Sequence, residues 1–155
     1  MSATAIEGLD SENLTVPGLL ARAVERFGDH EAIVDLSVEP PVRLTFAQVA
    51  DEARATAKAL MAAGVGPGDR VAIWAPNVWE WPVTLFGIHL AGAAVVPLNT
   101  RYKGSEAAYI LNRSGAKVLF TSRGSWATTT SRCSTVSTRR RSSTQSCSEA
   151  TLPAG

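Results

Sequence analysis

Arg101 is the residue of this sequence most suited by its type and position to bind a ligand. It follows the apolar run AAVVPL at residues 93–98, so it lies just beyond the carboxyl end of a predicted strand. Ligands of open α/β sheets bind outside the carboxyl ends of the strands, and a guanidinium matches the geometry of a phosphate. The sequence therefore predicts a phosphate contact at Arg101. The alternative is an ordinary surface arginine in a loop.

Three tryptophans, Trp74, Trp79 and Trp81, surround the end of another predicted strand and the start of the next helix. Packing into the core is the simpler interpretation of these side chains. The alternative is that they line the mouth of a pocket at the carboxyl edge of the sheet.

The glycine-rich run GVGPGDR at 64–70 invites comparison with a phosphate-binding loop. Such a loop follows a strand and opens a helix. This run follows a predicted helix and opens a predicted strand, which favours a helix end followed by a turn. The sequence contains neither GxxxxGK[ST] nor GxGxxG.

The histidines and cysteines do not form a recognisable site. His30 and His89 lie far apart in the sequence, and His89 is predicted to be a helix-face or packed residue. Cys133 and Cys147 have no second pair at the spacing of zinc ligands. We therefore predict no metal site and name no catalytic residue.

The first 122 residues alternate between helical and strand patterns. The predicted elements are a helix at 16–28, strands at 31–36 and after Pro40–Pro41, a helix from the Thr45/Gln48 capping box to Gly64, a strand at 70–75, a helix from Asn77 to about 91, a strand at 93–98, a helix from Ser105 to about Arg113 and a strand at 116–121. The residues predicted to be buried on the first two helices are Leu19, Leu20, Ala23, Val24 and Phe27, then Phe46, Val49, Ala53, Ala57, Leu60 and Met61. The fold class that this order favours is α/β, a mostly parallel sheet flanked by helices with a short hairpin.

Composition and charge describe two different regions. The 155 residues are 45% hydrophobic with a net charge of +1, as in a globular protein of at most one domain. Residues 1–122 carry a net charge of −3, whereas residues 123–155 carry +4 and contain 15 serines and threonines. No apolar run is long enough to span a membrane, and the acidic start has no basic stretch typical of a secretory signal. We therefore expect a cytoplasmic protein.

Residues 14–122 resemble the N-terminal region of the AMP-forming acyl-CoA synthetases, in the adenylate-forming ligase superfamily. The matching segments are GDRVAI, a Pro-Asn loop, HLAGAAVVPLN, SGAKVLF and the preceding helix LTFAQVADEARATAKAL. The wording WAPNVWEW and PLNTRY is most similar to actinobacterial ligases that act on fatty acids and on propanoates derived from steroid rings. The resemblance implies a partial N-terminal subdomain of such a ligase.

Members of this family use ATP, Mg²⁺ and CoA to convert a carboxylic acid, by way of an acyl-adenylate, into an acyl-CoA with release of AMP and pyrophosphate. Their Ser/Thr/Gly-rich phosphate loop and catalytic lysine lie downstream of the matching region. The resemblance implies that Arg101 contacts the phosphates of CoA, and it carries over no catalytic residue. We expect the chain alone to be inactive and to bind none of these cofactors well.

Residues 123–155 do not continue the family pattern. A helix and another apolar strand are expected after KVLF, but the chain turns to Ser, Thr and Arg. Read one base out of phase, SWATTTSRCSTVST can encode an amphipathic segment of the expected kind. We therefore predict a frameshift near Gly124 that ends in a premature stop, a truncated chain, a disordered tail at 123–155 and a flexible N-terminus at 1–13.

Two alternatives belong to other functional classes. The first is a stand-alone binding module whose basic Ser/Arg tail contacts nucleic acid, although Trp126 is the only aromatic residue there to stack on bases. The second is a half-enzyme completed by another chain. Apolar strands that lack covering partners also predict that the chain associates with itself.

Overall fold

The structure is a computed structural model that describes residues 15–122, 135–138 and 149–150. The described elements are α1 (Val16–Phe27), β1 (Glu31–Asp35), β2 (Val42–Thr45), α2 (Phe46–Ala62), β3 (Arg70–Trp74), α3 (Glu80–Leu90), β4 (Ala94–Pro97), α4 (Gly104–Ser114), β5 (Val118–Thr121), β6 (Thr135–Thr138) and β7 (Glu149–Ala150). None of the helices in these ranges is long and apolar enough to cross a membrane.

Two sheets organise these elements. Strands β1 and β2 form an antiparallel hairpin. Strand β3 lies between β4 and β5 and runs parallel to both, with Val71 opposite Val95 on one side and Val118 on the other. The predicted α/β fold with a parallel sheet and a short hairpin is therefore confirmed.

The tail contributes two short strands to the described structure. β6 pairs antiparallel with β5, and β7 pairs antiparallel with β6. The sheet order is thus β4-β3-β5-β6-β7. The predictions for residues 1–13, and for the rest of the tail, fall outside the described residues.

The core lies where α2 and α3 cover the parallel sheet. Leu60, Ile73 and Ile88 are almost completely buried in one cluster there. The helices approach closely at Gly87, where a Cβ atom would lie 2.6 Å from the Cβ of Thr56. This close approach packs α3 tightly on α2.

Helix α2 begins at the predicted capping box. The backbone N–H of Gln48 donates to Thr45 Oγ1 over 3.3 Å, and the side-chain oxygen of Gln48 accepts from the N–H of Thr45 over 2.9 Å. These two bonds satisfy backbone donors that the first helical turn leaves unpaired.

Three residues predicted to be buried are exposed instead. Leu19 is 49% exposed beside the buried Leu20, and Met61 is 54% exposed beside the buried Leu60. In each pair the buried leucine faces the core and its neighbour, about 100° further round the helix, lies on the solvent side. Phe27 lies at the end of α1, beyond that helix's contact with the core, and meets the rings of His30 and Phe46 at its rim.

The predicted starts of two helices are also wrong. Helix α4 begins at Gly104, with Ser105 already inside its first turn, and Glu106 accepts from the backbone N–H of Lys103 over 2.8 Å. Helix α3 begins at Glu80 rather than at Asn77. Its first turn is stabilised by Asp35, a residue far away in the sequence.

Candidate functional site

The carboxyl ends of β3, β4 and β5 lie at one edge of the parallel sheet. Ile73 is paired with Pro97 of β4 and with Phe120 of β5. The loops that leave this edge therefore begin close together, as expected for the ligand-binding side of an open α/β sheet.

The loop after β4 is held by one asparagine. The carbonyl oxygen of Asn99 accepts from the backbone N–H of Tyr102 over 3.0 Å and from Nε1–H of Trp74 over 3.1 Å. Its side-chain Oδ1 accepts from the backbone N–H of Arg101 over 2.9 Å. Asn99 thus closes a β-turn, and the indole of Trp74 ties that turn to β3.

Arg101 lies inside this turn, at the edge where the sequence places it. Its side chain is exposed, and within residues 15–122 its guanidinium makes no ion pair or hydrogen bond. Its charge is therefore not neutralised by any residue of that range. The assignment of Arg101 to the phosphates of CoA stays a prediction.

The three tryptophans pack against three different core clusters rather than together. Trp81 packs on the cluster around Ile73, Trp79 on the cluster around Leu20, and Trp74 on the cluster around Leu98. Core packing, the simpler interpretation, is confirmed for all three.

Two of these tryptophans also line an open groove between the hairpin and the start of α3. The groove has a volume of about 340 Å³. Its lining residues are Ile33, Val34, Asp35, Asn77, Val78, Trp79, Trp81 and Pro82. The mainly apolar lining offers few polar groups to orient a ligand.

Asp35 is a charged residue buried at this groove. Its Oδ1 accepts from the backbone N–H of Ser37 over 2.8 Å and from the Ser37 hydroxyl over 2.5 Å, and its Oδ2 accepts from the N–H of Trp79 over 3.0 Å. The Ser37 hydroxyl, the Ser37 N–H and the Trp79 N–H hold the pKa of Asp35 below its usual value. The carboxylate therefore stays charged beside the positive end of α3, where it replaces the cap predicted at Asn77.

GVGPGDR lies at the opposite, amino-terminal edge of the sheet. Asp69 Oδ2 accepts from Lys117 Nζ over 2.6 Å and from the backbone N–H of Gly66 over 2.8 Å, and these bonds lower the pKa of its carboxyl. The N–H of Gly68 donates to the carbonyl of Gly92 over 3.1 Å. The run is a turn that closes on itself, which confirms the structural interpretation over a phosphate loop.

The histidines lie apart from the edge that carries Arg101. His30 is exposed and meets the ring of Phe27 edge-on, while His89 is half-buried on α3. Within the described part of the chain, no group of three His, Cys, Asp or Glu side chains could hold a metal ion. Cys133 and Cys147 fall outside the described residues.

Sequence reasoning missed the roles of Asn99 and Asp35. An asparagine in the loop directly after a strand favours an Asx turn, in which its side chain accepts from the backbone N–H two residues on, and PLNTRY contains such an asparagine. The Asp35 contact joins residues 44 positions apart, and no local pattern reports such a pair.

Comparisons with known proteins agree with this geometry. The chain matches the family described as AMP-binding enzyme over residues 20–153. It is 50% identical over 108 residues to a methyl-dioxo-octahydroindenyl-propanoyl:CoA ligase of Mycobacterium tuberculosis. The matched residues make up 70% of this chain and 20% of that relative. The mouse medium-chain acyl-CoA ligase ACSF2 is 36% identical over 105 residues, which cover 68% of this chain and 17% of that relative. The chain therefore spans about a fifth of the length of these curated relatives.

Solved structures give the same result. The N-terminal domain of FACL13 from Mycobacterium tuberculosis superposes with a TM-score of 0.65 at 35% identity, over 68% of this chain and 26% of that one. A Mycobacterium tuberculosis fatty acyl CoA synthetase gives a TM-score of 0.67 at 33% identity, over 72% of this chain and 22% of that one. With the family match covering most of its residues, the chain belongs to the AMP-binding enzyme family.

Proposed function

We propose that this chain is the N-terminal part of an ATP-dependent acyl-CoA ligase. The reaction joins a carboxylic acid to CoA through an acyl-adenylate, with AMP and pyrophosphate as the other products. The observation that supports this most strongly is the family match, together with the named CoA ligases among the relatives. The actinobacterial relative, whose acyl group carries fused rings, favours a ring-bearing acid as the substrate class.

The described residues do not fit Mg²⁺ and ATP phosphates. No acidic cluster within them could hold the metal. Of the three lysines, Lys117 is paired with Asp69 at the amino edge of the sheet, Lys58 lies exposed on α2, and Lys103 lies exposed directly before α4. Phosphoryl and adenylyl transfer depend on charge placed around the phosphates, so residues 15–122 cannot supply the adenylation step alone.

The described residues do fit one end of CoA. Arg101 is exposed at the carboxyl edge of the sheet, its guanidinium has no acceptor within residues 15–122, and Asn99 fixes its backbone. A guanidinium held in this way can bind phosphate oxygens through two parallel bonds. This chain thus contributes part of the parallel sheet to the ligase, together with a contact for CoA.

A pyrophosphate-release assay tests the proposal. We expect the purified 155-residue chain to release no pyrophosphate from ATP with short, medium or ring-bearing acids and CoA. An enzyme with the reading frame restored after Ser122 should release pyrophosphate in an acid-dependent way. Arg101→Ala in that enzyme should impair the use of CoA more than adenylate formation. Acyl-CoA formation by the short chain would contradict the first expectation, and an inactive restored enzyme would contradict the ligase assignment.

We also propose that the reading frame shifts near Gly124. The change to Ser, Thr and Arg at that point supports this, as does the apolar pattern encoded in the neighbouring frame. The family match extends to residue 153 and so includes the tail. Sequencing the DNA through this region and reading all frames decides the matter: an uninterrupted family pattern in the present frame would rule out the shift.

We propose a cytoplasmic location as well, because ATP and CoA are supplied there.

Self-association of the chain is a further part of the proposal. Leu36 is 71% exposed and Met61 is 54% exposed, and apolar side chains on such faces favour association. Sedimentation velocity over a range of concentrations should show species larger than a monomer, and Leu36→Ser with Met61→Ser should reduce them. A monomer at every concentration would contradict this expectation.

A further inference from the structure

The groove between the hairpin and the start of α3 has a carboxylate in its wall that lacks a cationic partner. Asp35 is only 9% exposed and forms no ion pair with a residue of the described ranges. The segments that line the groove, 33–35 and 77–82, contain no Lys, Arg or His. Arg43, on the neighbouring strand β2, is paired with Glu31 over 2.8 Å. The charge of Asp35 is therefore not neutralised by a side chain of that part of the fold.

The hydrogen bonds of Asp35 leave room for one more donor. Oδ1 accepts two bonds, from the backbone N–H and the hydroxyl of Ser37, and Oδ2 accepts one, from the N–H of Trp79. A carboxylate can accept about four hydrogen bonds. The helix end beside Asp35 carries only about half a positive charge, so part of the negative charge is not offset. A cationic N–H donor that reached Oδ2 from the groove would supply both the missing bond and the missing charge.

The rest of the groove is apolar and aromatic. Ile33, Val34 and Pro82 line it together with Trp79 and Trp81. An ammonium group is attracted to the face of an indole, and an aromatic ring packs favourably against such side chains. The groove volume of about 340 Å³ lies near the lower end of the range for small-molecule sites, so it suits a compact ligand.

We propose that this groove binds a small organic cation, a protonated amine carried on an aromatic ring. The ammonium group donates to Oδ2 of Asp35, and the ring packs against the apolar wall. The turn at 99–103 that carries Arg101 contributes none of the lining residues, and the expected ligand is opposite in charge to a phosphate. The proposal therefore does not depend on the ligase function.

NMR titrations of the purified 155-residue chain test the requirements for charge and for an aromatic ring. The probes are phenethylamine, its uncharged analogue phenethyl alcohol, the anion phenylacetate and the ring-free cation butylamine. We expect phenethylamine to bind several-fold more tightly than phenethyl alcohol or butylamine, and we expect no binding of phenylacetate. The indole Nε1–H resonances of Trp79 and Trp81 should shift with phenethylamine, because both side chains line the groove.

Removing the charge of Asp35 tests its role directly. Asp35→Asn keeps the shape of the side chain and should reduce the affinity for phenethylamine to that for phenethyl alcohol. Because this variant should also be less stable, its binding is measured at a temperature at which its NMR spectrum shows the folded chain. Glu52→Gln is the matched control, since it removes a negative charge from an exposed position on α2 and should leave the affinity unchanged.

Val34 offers a second variant that leaves the hydrogen bonds of Asp35 intact. Val34 is 45% exposed and lines the groove. Val34→Lys places an ammonium group of the chain itself at the groove and should weaken phenethylamine binding several-fold. Val34→Gln, which is similar in length but uncharged, should weaken it less.

Three results would overturn the proposal. The first is equal affinity for phenethylamine and phenethyl alcohol, which would show that the charge of Asp35 is not used. The second is equal binding of phenethylamine by the Val34→Lys and Val34→Gln variants. The third is equal affinity for butylamine and phenethylamine, which would show a surface that attracts any cation rather than a site for an aromatic amine.

Discussion

The two edges of the parallel sheet both carry loops with charged residues, but the charged groups have different bonding partners. At the amino edge, Asp69 is bonded to Lys117 and to the N–H of Gly66. At the carboxyl edge, Asn99 and Glu106 bind the backbone, while the ends of Arg101 and Lys103 stay open to solvent. The carboxylate at the amino edge is bonded within the fold, whereas the two cations at the carboxyl edge remain exposed.

This difference shows that residue type alone does not indicate function. GVGPGDR has the glycines and charges that suggest phosphate binding, but its bonds are internal to the fold. PLNTRY has no glycine, yet it presents the guanidinium of Arg101, which no described residue neutralises. The bonding partners of each charged group decide which loop can bind a ligand.

The largest expected effect comes from changing the glycine conformation at the amino edge. Gly92 has φ of 75°, and an added Cβ would lie 3.2 Å from the Pro67 ring. Gly92→Ala should therefore lower the free energy of unfolding by about 2 kcal/mol, from left-handed strain together with crowding. Gly104, at the carboxyl edge, has open space around its Cβ position and begins α4, so Gly104→Ala should be neutral or slightly stabilising. Urea unfolding of the pair measures this, and equal losses would remove the contrast between the edges.

Acid pH should act on Asp69 and Asp35, two carboxyls whose hydrogen bonds lower their pKa values. Both pKa values lie below the ordinary 3.8, so both groups contribute stability above that pH and lose it as the pH falls through their folded-state pKa values. Asp69→Asn and Asp35→Asn should destabilise the chain at pH 7, and the difference from the unchanged chain should shrink at about pH 3. Urea midpoints at the two pH values test this, and a gap that widens in acid would contradict the sign.

The smallest effect separates two lysines at opposite edges. Lys117→Met breaks a partly exposed ion pair and should lower stability slightly, within the range known for such pairs. Lys103→Met, which breaks no ion pair within residues 15–122, should leave the stability unchanged. Urea midpoints of the two variants test this, and equal losses would contradict the difference between the edges.

The sequence was a good guide to the elements because their causes are local. Apolar runs such as RVAIW and VLFT, and the Thr45/Gln48 capping box, gave strands and a helix start that the structure confirms. The predictions were wrong where a contact comes from a part of the chain far away in sequence, or where the direction of a side chain on its helix decides its burial. Asn77 was wrong as a cap because Asp35 reaches the helix from the hairpin, and Met61 was wrong as a core residue because its neighbour Leu60 takes the buried face.

The candidate site was predictable in part for the same reason. Arg101 could be placed at the carboxyl edge from the apolar strand before it, and the structure puts it there. The contact from the Trp74 indole to Asn99 joins β3 to the loop after β4, so it depends on the register of the two strands rather than on either segment alone.

The bond between Asp35 and Trp79 also bears on how this chain is made. Proteins are synthesised from the amino terminus, and their parts can fold as they emerge. The carboxylate that completes the first turn of α3 is translated 44 residues before the N–H that it accepts from. A hairpin already outside the ribosome can therefore receive the helix as it appears, whereas a cut that removed the hairpin would leave α3 without this partner.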